Sequence, residues 1–478
     1  MRATDMSCLR TTAQSFDLFD TLIARACVTP ENLFAEVELA QQVPGFAQCR
    51  IEAERRVASL KEPFSLDTIY EAMRESGFCD TAAACRLQKA EIEAEFDNAI
   101  PITRNLEAVR DHDLVVSDMY LPASILRGLL KHVGLRRHVH LFVSNRGKHD
   151  GSIWPLLTDK WLLLHHTGDN PHADVFQAQR FCIPTRHYSG ASPNPTELFL
   201  HEQGLIHTAR LVRKLRLSNP LSALSVEGQL WNHFVQFSVP ILLLAVHAAR
   251  TQRDTLGLRK LLFLSRDCHL LSEVFLVLFP EEPFDLIAVS RDALKADPSR
   301  YVEYLQSMGS ENSLVCDLVS TGYSWLTFTQ SMNLQIAFFA LVYTDTYQYN
   351  LFDPSVLDHD GSLRFRYAVR SSELNHWSLA IELFNTAPHG STRFIEKIGD
   401  TFIPTFEEGH ELSPSFLRTI QFAQASSIGY LRQARDQIVR ELLQTQNTKA
   451  LLAAMISALS GTDWINHLAV STICKLPA

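Results

Sequence analysis

The stretch Phe16-Asp-Leu-Phe-Asp-Thr-Leu22 sets the reading of everything around it. A strand-like segment starts at Ser15 and opens at Asp17 into a polar turn. Downstream, Thr29-Pro30-Glu31 carries the marks of a helix start: a Thr cap, Pro in the first turn and an acid near the positive helix end. From Ala26 to about Asp111 the pattern is helical, with charged faces such as Glu52-Ala-Glu-Arg-Arg56 and no strand period. Strand patterns return at Leu114–Ser117, His138–Ser144 and Leu162–Thr167, the last ending in Gly168-Asp169-Asn170. Strands alternating with helices predict a parallel, doubly wound sheet.

Further along, Ser189-Gly-Ala-Ser-Pro-Asn-Pro195 has the composition of a linker. A helical stretch follows to about Leu256. The strand–helix alternation then restarts at Lys260–Leu264, Asp285–Val289, Ser313–Val319 and Ile336–Val342, and from about Pro414 the pattern is helical again. The expected organisation is an α/β domain at 1–190 with a helical insert at about 28–110, and a linker and helical segment at 191–258. A second α/β domain at 259–405 and C-terminal helices at 406–478 complete the chain.

Composition bounds the function classes. Among 478 residues, 46% are apolar and 20% charged, an ordinary globular balance. A net charge of −9 without a basic stripe argues against a nucleic-acid partner. The nine cysteines are scattered with no CxxC, which argues against a disulfide framework or zinc site and for reduced thiols in the cytoplasm. The longest apolar stretch, Val239–Val246, is too short to span a bilayer and reads as part of a buried helix, so no membrane partner is expected.

Four short motifs fall at the ends of four predicted strands: Phe16–Leu22, Val115-Val-Ser117, Lys148-His-Asp-Gly151 and Gly168-Asp-Asn-Pro-His-Ala-Asp174. Strand carboxyl ends are where open α/β sheets bind ligands. This set, in this order, resembles the haloacid dehalogenase superfamily over roughly the first 190 residues. The resemblance implies a Rossmannoid sheet with a helical cap and a phosphorylated small-molecule substrate. Asp17 matches the nucleophile, which forms an aspartyl phosphate and splits one hard displacement into two. Mg²⁺ is the implied cofactor, held by Asp17, the Phe19 backbone carbonyl and Asp169. Ser117 would hydrogen-bond a phosphoryl oxygen, Lys148 would neutralise charge, and Asp174 would orient Lys148 or a metal-bound water. Within the insert, Arg50, Arg55 and Arg56 are candidate substrate contacts, although solvated helix faces explain them more simply.

One departure matters. Phosphatases of this superfamily usually carry a second Asp two residues after the nucleophile, where this chain has Phe19; Asp20 stands one step further on. General acid help is worth about 10²–10⁴-fold, so ordinary phosphomonoester hydrolysis is expected to be slow. The alternative is a binding or regulatory protein that recognises a phosphorylated ligand without turnover.

The second α/β region holds another constellation. Ser265-Arg266-Asp267 follows one strand, and Asp317-Leu-Val-Ser320-Thr321-Gly322-Tyr-Ser324 closes another. A hydroxyl- and Gly-containing turn before a helix can present donors to an anion. The second segment resembles the phosphate-binding motif of type I phosphoribosyltransferases; otherwise the domain reads as Rossmann-like. The resemblance implies Asp317 against sugar hydroxyls, Ser320, Thr321, Gly322 and Ser324 against a phosphate, and Ser265, Arg266 and Asp267 near a pyrophosphate. Cys316 stands where that motif has its first acid. Glu382, His389 and Gly390 are candidate lining residues, with core packing as the simpler explanation.

Overall fold

The computed structural model describes residues 10–222, 224–344, 365–371, 376–408 and 412–460. The chain forms two units, Met1–Gln203 with Arg213–Ser222, and Gly204–Val212 with Ala223–Ala478. Each is a mixed α/β structure built on a five-stranded parallel sheet.

In the first unit the strands are β1 Thr11–Phe16, β2 Ile23–Arg25, β3 Ala99–Pro101, β4 Leu114–Asp118, β5 His140–Ser144, β6 Trp161–Gly168 and β7 Thr185–His187. The sheet order is β5-β4-β1-β6-β7, with every pairing parallel. Strand β1 is buried and apolar at its end (Phe16) and continues into fully buried Leu18 and Leu22. The chain winds outward from β1 to β4 and β5, then returns to the other side of β1 as β6. The crossover leaves a crevice at the carboxyl ends of β1 and β6.

Four helices, Pro30–Gln41, Phe46–Ser59, Leu66–Glu75 and Thr81–Asn98, form the insert. The first begins as expected, with Thr29 at the cap, Pro30 next, and the Asn32 side chain accepting from the Thr29 N–H at 3.0 Å. The insert is not purely helical: β3, a three-residue Ala-Ile-Pro segment too short to show a period, pairs antiparallel with β2. This ribbon brings the insert's entry and exit together. Insert residues Leu33, Phe46, Ile69 and Met73 share one continuous core with Leu18, Leu22, Val115 and Leu126.

Arg50 lies inside this insert with no exposed side-chain surface, bidentate to Glu91 at 2.8 Å for both bonds. Its guanidinium lies over the rings of Phe34 and Tyr120, and Glu91 also accepts from the Tyr70 hydroxyl at 2.7 Å. Arg50 is therefore an internal strut, and Arg56 is an exposed partner of Glu75.

The expected linker at 189–195 is anchored structure. The carbonyls of Gly190, Ala191 and Ser192 accept from Arg216 and Arg213, and helix Pro195–Glu202 belongs to the first unit. Its Pro/Gly/Ser composition marks a turn that presents carbonyls to Arg213 and Arg216, not a flexible tether.

In the second unit the strands are β8 Lys260–Ser265, β9 Phe284–Ala288, β10 Ser313–Ser320, β11 Ala337–Thr344, β12 Phe365–Ser371, β13 Thr392–Ile398 and β14 Thr401–Phe406. The parallel sheet runs β12-β11-β10-β8-β9, and β13 pairs antiparallel with β14. Here the strand order reverses between β8 and β10. The helical run Val226–Thr255 is long and apolar enough to cross a membrane by composition, yet 83% of its most apolar window is buried inside the protein. Val239–Val246 lies in it and is buried throughout. Helix Pro414–Gln444 buries Phe416, Ile420, Ala423, Ser427 and Leu431 on one side, at the spacing a helical stripe requires. Its Gln424 amide donates to the Phe384 carbonyl at 2.9 Å, which holds helix His376–Phe384 and with it Glu382. The C-terminal helices expected to 478 are described to Ser460; the remainder lies outside the described residues.

Removing one partner of the Arg50–Glu91 pair leaves a buried charge unpaired. Glu91→Ala should cost about 3–5 kcal/mol, and urea unfolding measures it. The double change Arg50→Met with Glu91→Leu should recover most of that loss, because it removes both charges.

Candidate functional site

Asp17 follows β1, and its N–H donates to the Thr167 carbonyl of β6 at 2.8 Å, so backbone pairing fixes where its side chain starts. Ser117 sits near the end of β4, buried and in register with Val143 of β5. Lys148 comes from the loop after β5; Asp169 and Asp174 come from the turn after β6. The chain brings these together. Asp17, Asp169 and Asp174 each offer a carboxylate oxygen, all within 4.8 Å of one another. The Lys148 ammonium donates to Asp17 and, at 2.7 Å, to Asp174, with only 5% of its side chain exposed.

Residues that the motifs did not single out hold this set in place. Asp118 accepts from the Ser144 hydroxyl at 2.5 Å and from the N–H groups of Lys148 and His149 at 2.9–3.1 Å, which folds the loop carrying Lys148. His166, fully buried, pairs with Asp174 at 3.1 Å through Nε2 and with the Ser15 hydroxyl at 2.8 Å through Nδ1. With Asp174 as acceptor, Nε2 carries the hydrogen and Nδ1 accepts from Ser15. The Asn170 N–H donates to the second Asp174 oxygen at 3.0 Å, and the Asn170 side chain caps the following helical turn. Asp118 adjoins Ser117 in the sequence, and His166 faces Ser15 across the β1–β6 pairing. Neither is distinctive without the fold.

Electrostatics follow from burial and crowding. Burial pushes the Asp17 carboxyl up; Lys148 pulls it back, and Asp174 and Asp169 add to the rise. Asp169 is raised to about 6, by burial first and then by the Asp20 and Asp174 charges. Burial would raise Asp174 too, but the His166 hydrogen bond and Lys148 outweigh it and hold that carboxyl well below its ordinary range. Burial disfavours the Lys148 charge, yet Asp17 and Asp174 more than compensate and raise its value. The cluster is rich in negative charge and hard oxygen donors, the chemistry that suits Mg²⁺.

A cavity of about 350 Å³ adjoins Asp169, walled by Asp20, Arg25, His187, Tyr188 and Arg213 among others. The Phe19 ring does no proton chemistry here: it lies 4.4 Å beneath the Arg25 guanidinium, which is bidentate to Glu95 at 2.7–2.9 Å. Asp20 takes a left-handed backbone (φ 55°) and turns toward this cavity, with Arg213 at 3.8 Å.

In the second unit, a cavity of about 440 Å³ lies at the carboxyl ends of β8 and β10. It gathers Ser265, Arg266, Asp267, Asp317, Ser320, Thr321, Gly322 and Ser324, together with Glu382, whereas His389 and Gly390 are not among its lining residues. The turn differs from an open anion cradle. The Gly322 and Tyr323 N–H groups donate to the Ser320 and Thr321 hydroxyls at 3.1 and 3.3 Å. Cys316 is 1% exposed and points into the core. Asp317 is raised to about 7 and Glu382 to about 8, by burial first and then by the carboxylates that share the cavity.

No family model matches this chain, and no curated protein is significantly similar to it.

Two outcomes follow from this geometry. A Cβ on Gly168 would fall 2.3–2.5 Å from Asp174 side-chain atoms, and Asp174 is too firmly bonded to yield. Gly168→Ala should therefore cost about 1–3 kcal/mol in chemical denaturation, whereas Gly429→Ala, with nothing within 4 Å, should cost nothing.

The second outcome concerns pH. Folded Glu382 keeps its proton up to about 8 and folded Asp317 up to about 7, from ordinary values of 4.5 and 3.8. Across that window the folded chain binds more protons than the unfolded one, so these groups lower stability as pH rises. The melting temperature of Glu382→Gln should fall less between pH 5 and pH 8 than that of wild type; parallel curves would contradict this account.

Proposed function

We propose that the first unit is a Mg²⁺-dependent hydrolase or phosphotransferase of the haloacid dehalogenase type, acting through Asp17 on a phosphorylated small molecule. The observation that carries this reading is the convergence of Asp17, Asp169 and Asp174 within 4.8 Å, with Lys148 bonded to two of them. Both Asp174 oxygens are engaged by Lys148, His166 and Asn170, which favours Asp17 and Asp169 as the metal ligands. The Phe19 carbonyl joins them by resemblance. Asp174 then positions Lys148.

Mg²⁺ bound there would screen the negative charge of the phosphoryl group. An Asp17 carboxylate oxygen attacks phosphorus; the new O–P bond forms as the bond to the leaving oxygen breaks and takes the electron pair with it. Lys148 opposes the burial that raises the Asp17 carboxyl and offsets charge on the phosphoryl oxygens, and Ser117 donates to one of them. Water, or an acceptor hydroxyl, next attacks the phosphorus of the aspartyl phosphate and frees the Asp17 carboxylate. The helical insert, which shares a core with Leu18 and Leu22 beside Asp17, would limit water at the reacting centre. Phe19 supplies no proton to the leaving oxygen, which favours substrates whose leaving group is already a weak base. The same residue favours the second reading, a site that binds a phosphorylated ligand without turning it over.

The test compares p-nitrophenyl phosphate with an alkyl phosphate in the presence of Mg²⁺. The aryl ester should be cleaved at least about a hundredfold faster, the scale of missing acid catalysis. Asp17→Asn and Asp169→Ala should each abolish turnover, and Phe19→Asp should narrow the gap between the esters. Isothermal titration should show Mg²⁺ binding that Asp169→Ala loses. Mg²⁺ binding and beryllofluoride capture without turnover of either ester would select the second reading; absence of both binding events would remove the proposal.

A further inference from the structure

The cavity of the second unit plays no part in the chemistry proposed for Asp17. It sits where a parallel sheet places ligands, at the reversal of strand order between β8 and β10. Its size is that of a small-molecule site. Two independent features characterise its wall. The first is a set of three carboxyl groups, Asp267, Asp317 and Glu382, in which Asp267 adds to the rise of Asp317 and both add to the rise of Glu382 across the shared space. The second is a set of buried polar atoms with no protein partner: Ser265 Oγ, Trp325 Nε1, Thr344 Oγ1 and Thr392 Oγ1. All four residues line the cavity and are at least nine-tenths buried. Polar groups left unpaired in this way cost stability, so a ligand that pairs them is strongly selected.

The two features together narrow the ligand class. A free inorganic anion would find that the turn that might have cradled it already spends its Gly322 and Tyr323 N–H groups on its own hydroxyls, and that Arg266 is already bonded to Asp267 and Ser391. A bare metal ion needs converging ligand oxygens, and among the described residues the group of three that converges is the one at Asp17, not this one. An ammonium ligand would leave the Trp325 N–H without an acceptor. Each hydroxyl of a polyol both donates and accepts: it gives its hydrogen to a carboxylate and takes one from an indole N–H or a serine or threonine hydroxyl. We propose that this cavity is a binding site for a neutral, hydroxyl-rich ligand, a sugar or other polyol, held by Asp267, Asp317 and Glu382 as acceptors and by Ser265, Trp325 and Thr344 as donors.

Ligand-observed saturation-transfer NMR on the full chain tests this, with millimolar ribose, glucose, galactose, mannose, myo-inositol and glycerol as probes. At least one probe should receive saturation from the wild type. Asp317→Ala and Glu382→Ala should each weaken its binding about tenfold, the effect of losing the hydrogen bonds of one buried carboxyl group. Thr344→Val, which keeps shape and removes one hydroxyl, should weaken it too, and covers the case in which a carboxylate variant fails to fold. Asp17→Asn should leave the signal intact, so failure here and failure of the first-unit reading are distinguishable. The proposal is overturned by no transfer to any probe, by equal transfer in wild type and variants, or by a Trp fluorescence response to inorganic phosphate or MgCl₂ alone in place of the sugars.

Discussion

Lys148 places one ammonium group among carboxylates that would otherwise repel one another, and the first unit is arranged around keeping it there. Buried charges persist where they are paired and hydrogen-bonded on every side. Each support of Lys148 has its own support. Asp118 folds the loop that delivers it; Asp174 receives it; His166, backed by Ser15, turns Asp174; Gly168 leaves the space that Asp174 fills. These residues come from β1, β4, β6 and the loops that follow β5 and β6, so the parallel sheet and its register are conditions for the cluster to exist.

Both units solve the same structural problem in the same way. An interior buried strand, β1 or β8, has neighbours added first on one side and then on the other, and polar residues collect where the order reverses. The outcomes differ in charge. In the first unit a lysine offsets the acids directly. In the second, Asp267, Asp317 and Glu382 share a cavity with Arg266 and Arg291, and burial still raises Asp317 and Glu382. The insert shows how buried polar groups behave away from any cavity: Arg50, Glu91 and Tyr70 satisfy one another within a core of apolar side chains and have almost no surface to present.

Much of this was legible in the chain itself. Apolar runs at Leu114–Ser117, Leu162–Thr167, Lys260–Leu264 and Ser313–Val319 announce buried parallel strands, since only strands covered on both faces read as unbroken apolar segments. The Thr29-Pro30 helix start was equally local, because caps depend on neighbouring residues alone. Short or irregular pieces escaped for the converse reason: β3 and β7 span three residues each, too few to carry a period. The turn at 189–195 has a linker's composition, but its carbonyls are bound by Arg213 and Arg216, partners about twenty residues away that no local pattern reveals.

The sequence by itself determined that Asp17, Ser117, Lys148, Asp169 and Asp174 would stand at strand ends, because strand period and turn chemistry are written in adjacent residues. It determined in the same way that a second polar set would follow β8 and β10. Only the tertiary structure decided what those side chains meet. It assigned Asp174 to Lys148, His166 and Asn170, buried Cys316, closed the Ser320–Tyr323 turn on its own hydroxyls, and turned Arg50 inward to Glu91. Hydrogen-bond satisfaction is a property of three-dimensional neighbours: the donor that completes a buried carboxylate can lie a hundred residues away, as Lys148 does from Asp17, and its distance along the chain leaves no trace in composition or period.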